Sequence, residues 1–125
     1  MNKHSKTRLR TLERKADKLW QEAVVRKWHG QCAIFPTLPA SCGHHIIKRA
    51  CKETRHELLN GIAVSVMVHA LFESHPAMLL EWLRVEEPIM YAFHQNNLHP
   101  PIRVWYEDMV QLKIATLQQE IRDML

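Results

Sequence analysis

Long apolar runs are missing from this 125-residue sequence: none approaches the ~20 consecutive positions that span a bilayer, so a membrane-spanning helix is not expected. The basic N-terminus lacks the apolar core and cleavage site of a secretory signal. Cysteine is scarce as well. Cys32, Cys42 and Cys51 are an odd number without the regular spacing of a disulfide framework, which fits a reducing compartment. There is no internal repeat and no low-complexity tract. What is present, 46% hydrophobic and 24% charged residues over a length typical of one domain, reads as an ordered globular chain. A cytoplasmic protein forming a single domain over residues 1–125 is the expectation.

Negative charge is sparse in the first half. Residues 1–30 carry nine Lys or Arg against Glu13, Asp17 and Glu22, and residues 31–55 add Lys48, Arg49, Lys52 and Arg55 against Glu53 alone. The remainder reverses the balance, with four basic and nine acidic residues. A polyanion would be drawn to the first half. A solvated basic helix face accounts equally for the same lysines and arginines.

Residues 5–28 place Leu9, Leu12, Ala16, Leu19, Trp20, Ala23 and Val24 at three- and four-residue steps. That is the period of an amphipathic helix, with Gly30 as its stop. Trp20 and Trp28 lie on the apolar stripe and read as packing residues. Pro36 and Pro39 exclude a regular helix from 31–43. Residues 44–48 read as a strand, 49–57 as a polar loop, and 58–64 as the Asn60-Gly61 turn and returning strand of an irregular hairpin. Ser65 is a candidate N-cap for a helix ending near Ser74, and Pro76 opens another that runs to 87. A short helix over 89–95 follows, and the Pro100-Pro101 pair marks a break before a last helix at 102–124. The apolar face of that last helix suits either the first helix or a second copy of the chain. The fold class expected is α+β and mostly helical, with a basic helix over 1–30, a hairpin-and-helix core over 31–75 and packing helices over 76–125.

Within that core stand Cys-Gly-His-His-Ile-Ile-Lys-Arg at 42–49, Thr-Arg-His-Glu-Leu-Leu-Asn-Gly at 54–61 and His-Ala-Leu-Phe-Glu-Ser-His-Pro at 69–76. Adjacent strand residues face opposite ways, so His44 and His45 suit two complementary tasks. One imidazole can bind a divalent metal while the other, uncoordinated and with a pKa near neutrality, takes a proton from water. Phosphodiester hydrolysis needs both services. His69 and Glu73, four apart on a helix, share a face, and with His44 they make a three-ligand site with open positions. Taken singly, a histidine in an apolar run is more often a hydrogen-bonded structural residue. The ordered set of the His pair, Asn60 and His69 is what points to chemistry.

In that order, residues 32–83 resemble the His-Asn-His (HNH) endonucleases of phage and prophage, also called ββα-metal or His-Me finger nucleases. The resemblance implies a ββα-metal core that hydrolyses DNA phosphodiesters with one divalent ion: Mg2+, Mn2+, Ni2+ or Zn2+. It implies His44, His69 and Glu73 as metal ligands, with His75 the alternative for the third. His45 would be the general base, and Asn60, catalytic with it, would brace the loop and orient His45. Lys48, Arg49 and Arg55 would contact phosphates, and Arg10, Arg14 and Lys18 on the basic helix would add affinity for the DNA backbone. Many such proteins also carry two Cys-x-x-Cys pairs that hold a structural zinc. Here Cys32 stands with Phe35, Ser65 and Val68 at the corresponding places, so no structural zinc is expected and Phe35 and Val68 would hold the hairpin by packing. Two rival readings follow from the same residues: an inactive HNH-like nucleic-acid-binding protein, and a helical interaction module that dimerises through its terminal helices.

Overall fold

The apolar period of the N-terminal segment folds as one helix, α1 (Lys3–Lys27), in the computed structural model, which describes residues 3–99 and 104–125, with side chains from residue 6. Leu9, Ala16, Trp20, Ala23 and Val24 are buried along it. His29 and Gly30 adopt positive φ angles of 56° and 77°, and their N–H groups turn back onto the carbonyls of Arg26 and Val25. The helix thus ends at the glycine, in the left-handed conformation such an end requires.

After a loop, two antiparallel strands form the sheet, β1 (Cys42–His45) and β2 (Gly61–Val64), with His44 opposite Ile62 and His45 opposite Gly61. The first strand is earlier and shorter than the 44–48 read from the sequence. The Asn60 side chain is the cause. Its Oδ1 accepts the Ile47 N–H at 2.8 Å and its Nδ2 donates to the Ile47 carbonyl at 3.1 Å, so an amide replaces a strand partner and the ladder stops. For the same reason Asn60-Gly61 is not the hairpin turn. Asn60 instead ends a short 3-10 turn, Leu58–Asn60, and residues 46–57 connect the strands.

Four helices follow: α2 (Val66–Ser74), α3 (Pro76–Glu86), α4 (Pro88–Asn96) and α5 (Glu107–Asp123). Ser65 caps α2 by accepting the Val68 N–H at 3.3 Å, and Pro76 and Pro88 open α3 and α4, where a missing N–H costs nothing. The last helix starts later than expected, because residues 104–106 are not helical; the Pro100-Pro101 break lies outside the described residues. The chain is α+β and mostly helical. No described helix is long and apolar enough to cross a membrane.

Both faces of β2 are covered. Ile62 and Val64 pack with Val68, Phe72, Leu79, Leu83 and Met90, whereas Ala63 packs with Trp20, Val24 and Leu117. The strand therefore reads as a continuous apolar run, and its partner β1 has an α2 side and an α1 side. Helix α5 lays Val110, Ile114 and Leu117 on α1, so its apolar face is used within the chain.

Helix α1 presses directly on the hairpin. A Cβ at Gly61 would overlap Val24 and Trp20, and one at Gly43 would stand 3.0 Å from Val24 Cγ1. Gly61→Ala is therefore expected to destabilise the protein by about 1–3 kcal/mol through overpacking. The measurement is a urea titration, in which the midpoint should fall without a change of slope; an unshifted midpoint would mean that the helix does not bear on this strand.

Candidate metal centre

The alternation of β1 decides where the two neighbouring imidazoles go. His44 shares the α2 side with Ile62, and His45 shares the α1 side with Gly61. Helix α2 begins two residues after β2 ends, so its first turns stand beside His44. His69 and Glu73, one helical turn apart, face it. Donor atoms of His44, His69 and Glu73 all lie within 4.8 Å of one another. Glu73 Oε1 is 3.8 Å from His44 Nδ1 and 3.5 Å from His69 Nε2, and the two rings meet edge to face at 5.1 Å.

Metal–donor bonds of about 2.1 Å at tetrahedral angles would separate the donors by about 3.4 Å. The two separations from Glu73 are near that value, and the set as a whole, spread within 4.8 Å, would take a divalent ion after a small inward adjustment of the side chains. Burial, with a further push from His69 and against the pull of Glu73, lowers the pKa of His44, which leaves the ring neutral and its lone pair available at pH 7. His75, the alternative third donor, follows α2, is exposed and pairs its Nδ1 with Ser74 Oγ at 3.0 Å; it is not part of the donor group.

His45 has a different environment. Its ring stacks on the Trp20 indole, with centroids 3.8 Å apart and planes 7° from parallel. Its Nε2 is 3.0 Å from the Arg55 carbonyl oxygen. A carbonyl only accepts, so Nε2 carries the hydrogen and Nδ1 is left as the acceptor. The pKa near neutrality expected from the sequence is corrected to about 4: burial lowers it, and the Arg55 carbonyl and Asp17 offset only part of that. At pH 7 the ring is unprotonated. His44, His45, His69 and Glu73 line one cleft of about 660 Å³, with Lys48 and Arg49 also on its wall.

Asn60, placed with His45 as catalytic from the sequence, has no exposed surface. Besides its two bonds to Ile47, it donates from Nδ2 to the Thr54 carbonyl at 3.1 Å. It braces the loop that presents the Arg55 carbonyl to His45, and its side-chain bonds go to Ile47 and Thr54 rather than to His45 itself.

Arg55 is a second correction. Its guanidinium is occupied by both oxygens of Asp17 at 2.9 and 2.7 Å and by Glu13 at 2.9 Å, with a side chain only 13% exposed, which leaves it little edge for a phosphate. Asp17 also accepts from His56 and Arg49. Burial opposes its ionisation, but the hydrogen bonds from His56, Arg55 and Arg49 win and hold its pKa far below the usual carboxylate range. Arg49 keeps one N–H on Asp17 at 2.8 Å and leaves a side chain 62% exposed at the cleft, while Lys48 is exposed beside it. Arg10, Arg14 and Lys18 are exposed on α1, outside the cleft. Gln21, seven residues after Arg14 and so on the same flank, lines the cleft and connects the two.

Two residues important to the site went unrecognised in the sequence. On its apolar stripe Trp20 reads as packing alone, and nothing in the sequence marks Gln21, although its amide grips the Gly43 backbone from both sides, accepting at 2.6 Å and donating at 3.1 Å. For the carboxylates that hold Arg55 a signal was available: Glu13 and Asp17, two of three acids among the first 30 residues, sit four apart and interrupt the basic face. Of the two residues expected to hold the hairpin by packing, Val68 is in the core, together with Cys32, whereas Phe35 is 47% exposed. Compared with family models, curated proteins and solved structures, the chain matches none.

Proposed function

We propose that this chain is a metal-dependent endonuclease of the HNH type, hydrolysing DNA phosphodiesters with His45 as general base and one divalent ion held by His44, His69 and Glu73. One observation carries the reading: β1 turns His44 toward His69 and Glu73 of α2 on one face and His45, a neutral imidazole of fixed tautomer, to the other, and all four line one cleft.

When bound, a divalent ion such as Mg2+, Mn2+, Ni2+ or Zn2+ supplies charge stabilisation for the phosphate and the departing oxygen. The remaining work falls to the chain. His45 Nδ1 accepts a proton from the attacking water while Nε2–H stays on the Arg55 carbonyl, so the ring does not turn as it charges. A low pKa makes it a weak base in the ground state, and the phosphodiester's negative charge in the cleft would favour the imidazolium. Lys48 and the free edge of Arg49 steady the phosphate. Arg10, Arg14 and Lys18 extend the positive surface along α1 and give salt-sensitive affinity without base readout. The three free cysteines suit a reducing, intracellular setting.

The test is cleavage of supercoiled, linear duplex and single-stranded DNA and of RNA, each with divalent metal and with EDTA. Metal-stimulated cleavage of at least one DNA form is expected. Salt-sensitive binding without cleavage would favour an inactive DNA-binding protein, and neither activity would leave a helical interaction module.

A further inference from the structure

We propose that Trp20 of α1 is a positioning residue for the base: its indole is the platform that fixes the plane of the His45 ring and aims Nδ1 into the cleft. The inference rests on the nuclease reading and extends its machinery beyond the hairpin and α2 to a helix more than twenty residues upstream.

An imidazole on a strand turns about two side-chain bonds. The hydrogen bond from Nε2 to the Arg55 carbonyl fixes one atom of the ring and leaves it free to swing about that contact. Face-to-face stacking at 3.8 Å and 7° removes the swing. The platform is itself immobile: Trp20 is 1% exposed, and its Nε1–H donates to the Glu57 carbonyl at 2.8 Å. Glu57 and Arg55 belong to the same loop, which Asn60 braces and which Asp17 and Glu13 hold through the Arg55 guanidinium. Gln21, the next residue on α1, clamps Gly43 next to His44. The imidazole is thereby held on its face by α1 and at its edge by a loop that α1 anchors. His44 packs instead with His69 and Phe72, on the other side of the strand. Loss of the platform should therefore disturb the base and spare the donor group.

Trp20→Leu removes the ring, and Trp20→Phe keeps an aromatic face while losing the indole N–H. In wild type, the His45 ring protons should resonate upfield of ordinary histidine positions because of the indole ring current; Trp20→Leu should abolish that shift and Trp20→Phe should retain part of it. Trp20→Leu should lower kcat about 10- to 100-fold, the scale of a misplaced reacting group, with KM and the metal-induced rise in Tm unchanged. Trp20→Phe should recover most of the rate, and in a His45→Ala background Trp20→Leu should cost nothing further. If Trp20→Leu does not fold, the wild-type spectrum and Trp20→Phe decide. Ordinary His45 shifts in an active wild type would overturn the platform alone, as would full kcat in a folded Trp20→Leu protein or an equal loss in the His45→Ala background. A wild type that shows the upfield shift but cleaves nothing would overturn the nuclease reading, and the catalytic sense of the platform with it.

Discussion

His45→Ala is expected to lower metal-dependent cleavage by about 100- to 10 000-fold, the usual contribution of a positioned general base, while DNA affinity and the metal-induced rise in Tm stay close to wild type. The separation follows from the strand. His45 lies on the α1 side, against Trp20 and the Arg55 carbonyl, whereas the donor group lies on the α2 side. Deleting the ring removes the proton acceptor and its stacking contact without touching a donor atom. Cleavage rates, gel shifts and melting curves on one preparation check it. Full cleavage by a folded His45→Ala protein would remove the base from the account, and a lost metal response would place His45 among the ligands.

His69→Ala should act by the opposite route. An ion at a hundred times its Kd adds about 2.7 kcal/mol to the folded state, several degrees of Tm for a chain of this size. With His69 removed, one imidazole and one carboxylate remain, and the carboxylate of Glu73 is 62% exposed. The melting shift with Mn2+ or Zn2+ should vanish at concentrations that saturate wild type, and cleavage should vanish with it. The variant should still fold, because the His69 side chain is 40% exposed and lies outside the buried core. A melting response equal to wild type would mean that the ion binds elsewhere.

Much of this arrangement was legible in residue order. The three- and four-residue period gave α1, Gly30 gave its end, Ser65 gave the cap of α2, and Pro76 gave the start of α3. Strand alternation divided His44 from His45, and the helical repeat joined His69 to Glu73. These are local rules acting over a few residues, which is why a single sequence reveals them.

Other features depend on partners far along the chain. Arg55 reads as a phosphate contact until Glu13 and Asp17, some forty residues earlier, are brought against it. The first strand stops at His45 because one buried amide, Asn60, satisfies the Ile47 backbone that a ladder would otherwise use. The pKa of His45 is low because a tryptophan from another element covers the ring, and burial cannot be read from the strand alone. Trp20 shows the limit most clearly, since a tryptophan on an apolar stripe gives the same pattern whether it packs on leucine or on a reactive imidazole.

The most direct measurement is nicking of supercoiled plasmid by the purified wild-type protein, first stripped with EDTA and then given back Mn2+ or Mg2+ at neutral pH. Little or no nicking by the stripped protein and its return on metal addition are expected. Equal nicking with and without metal, or none under any metal, would contradict a cleft that joins a bound cation to a neighbouring base.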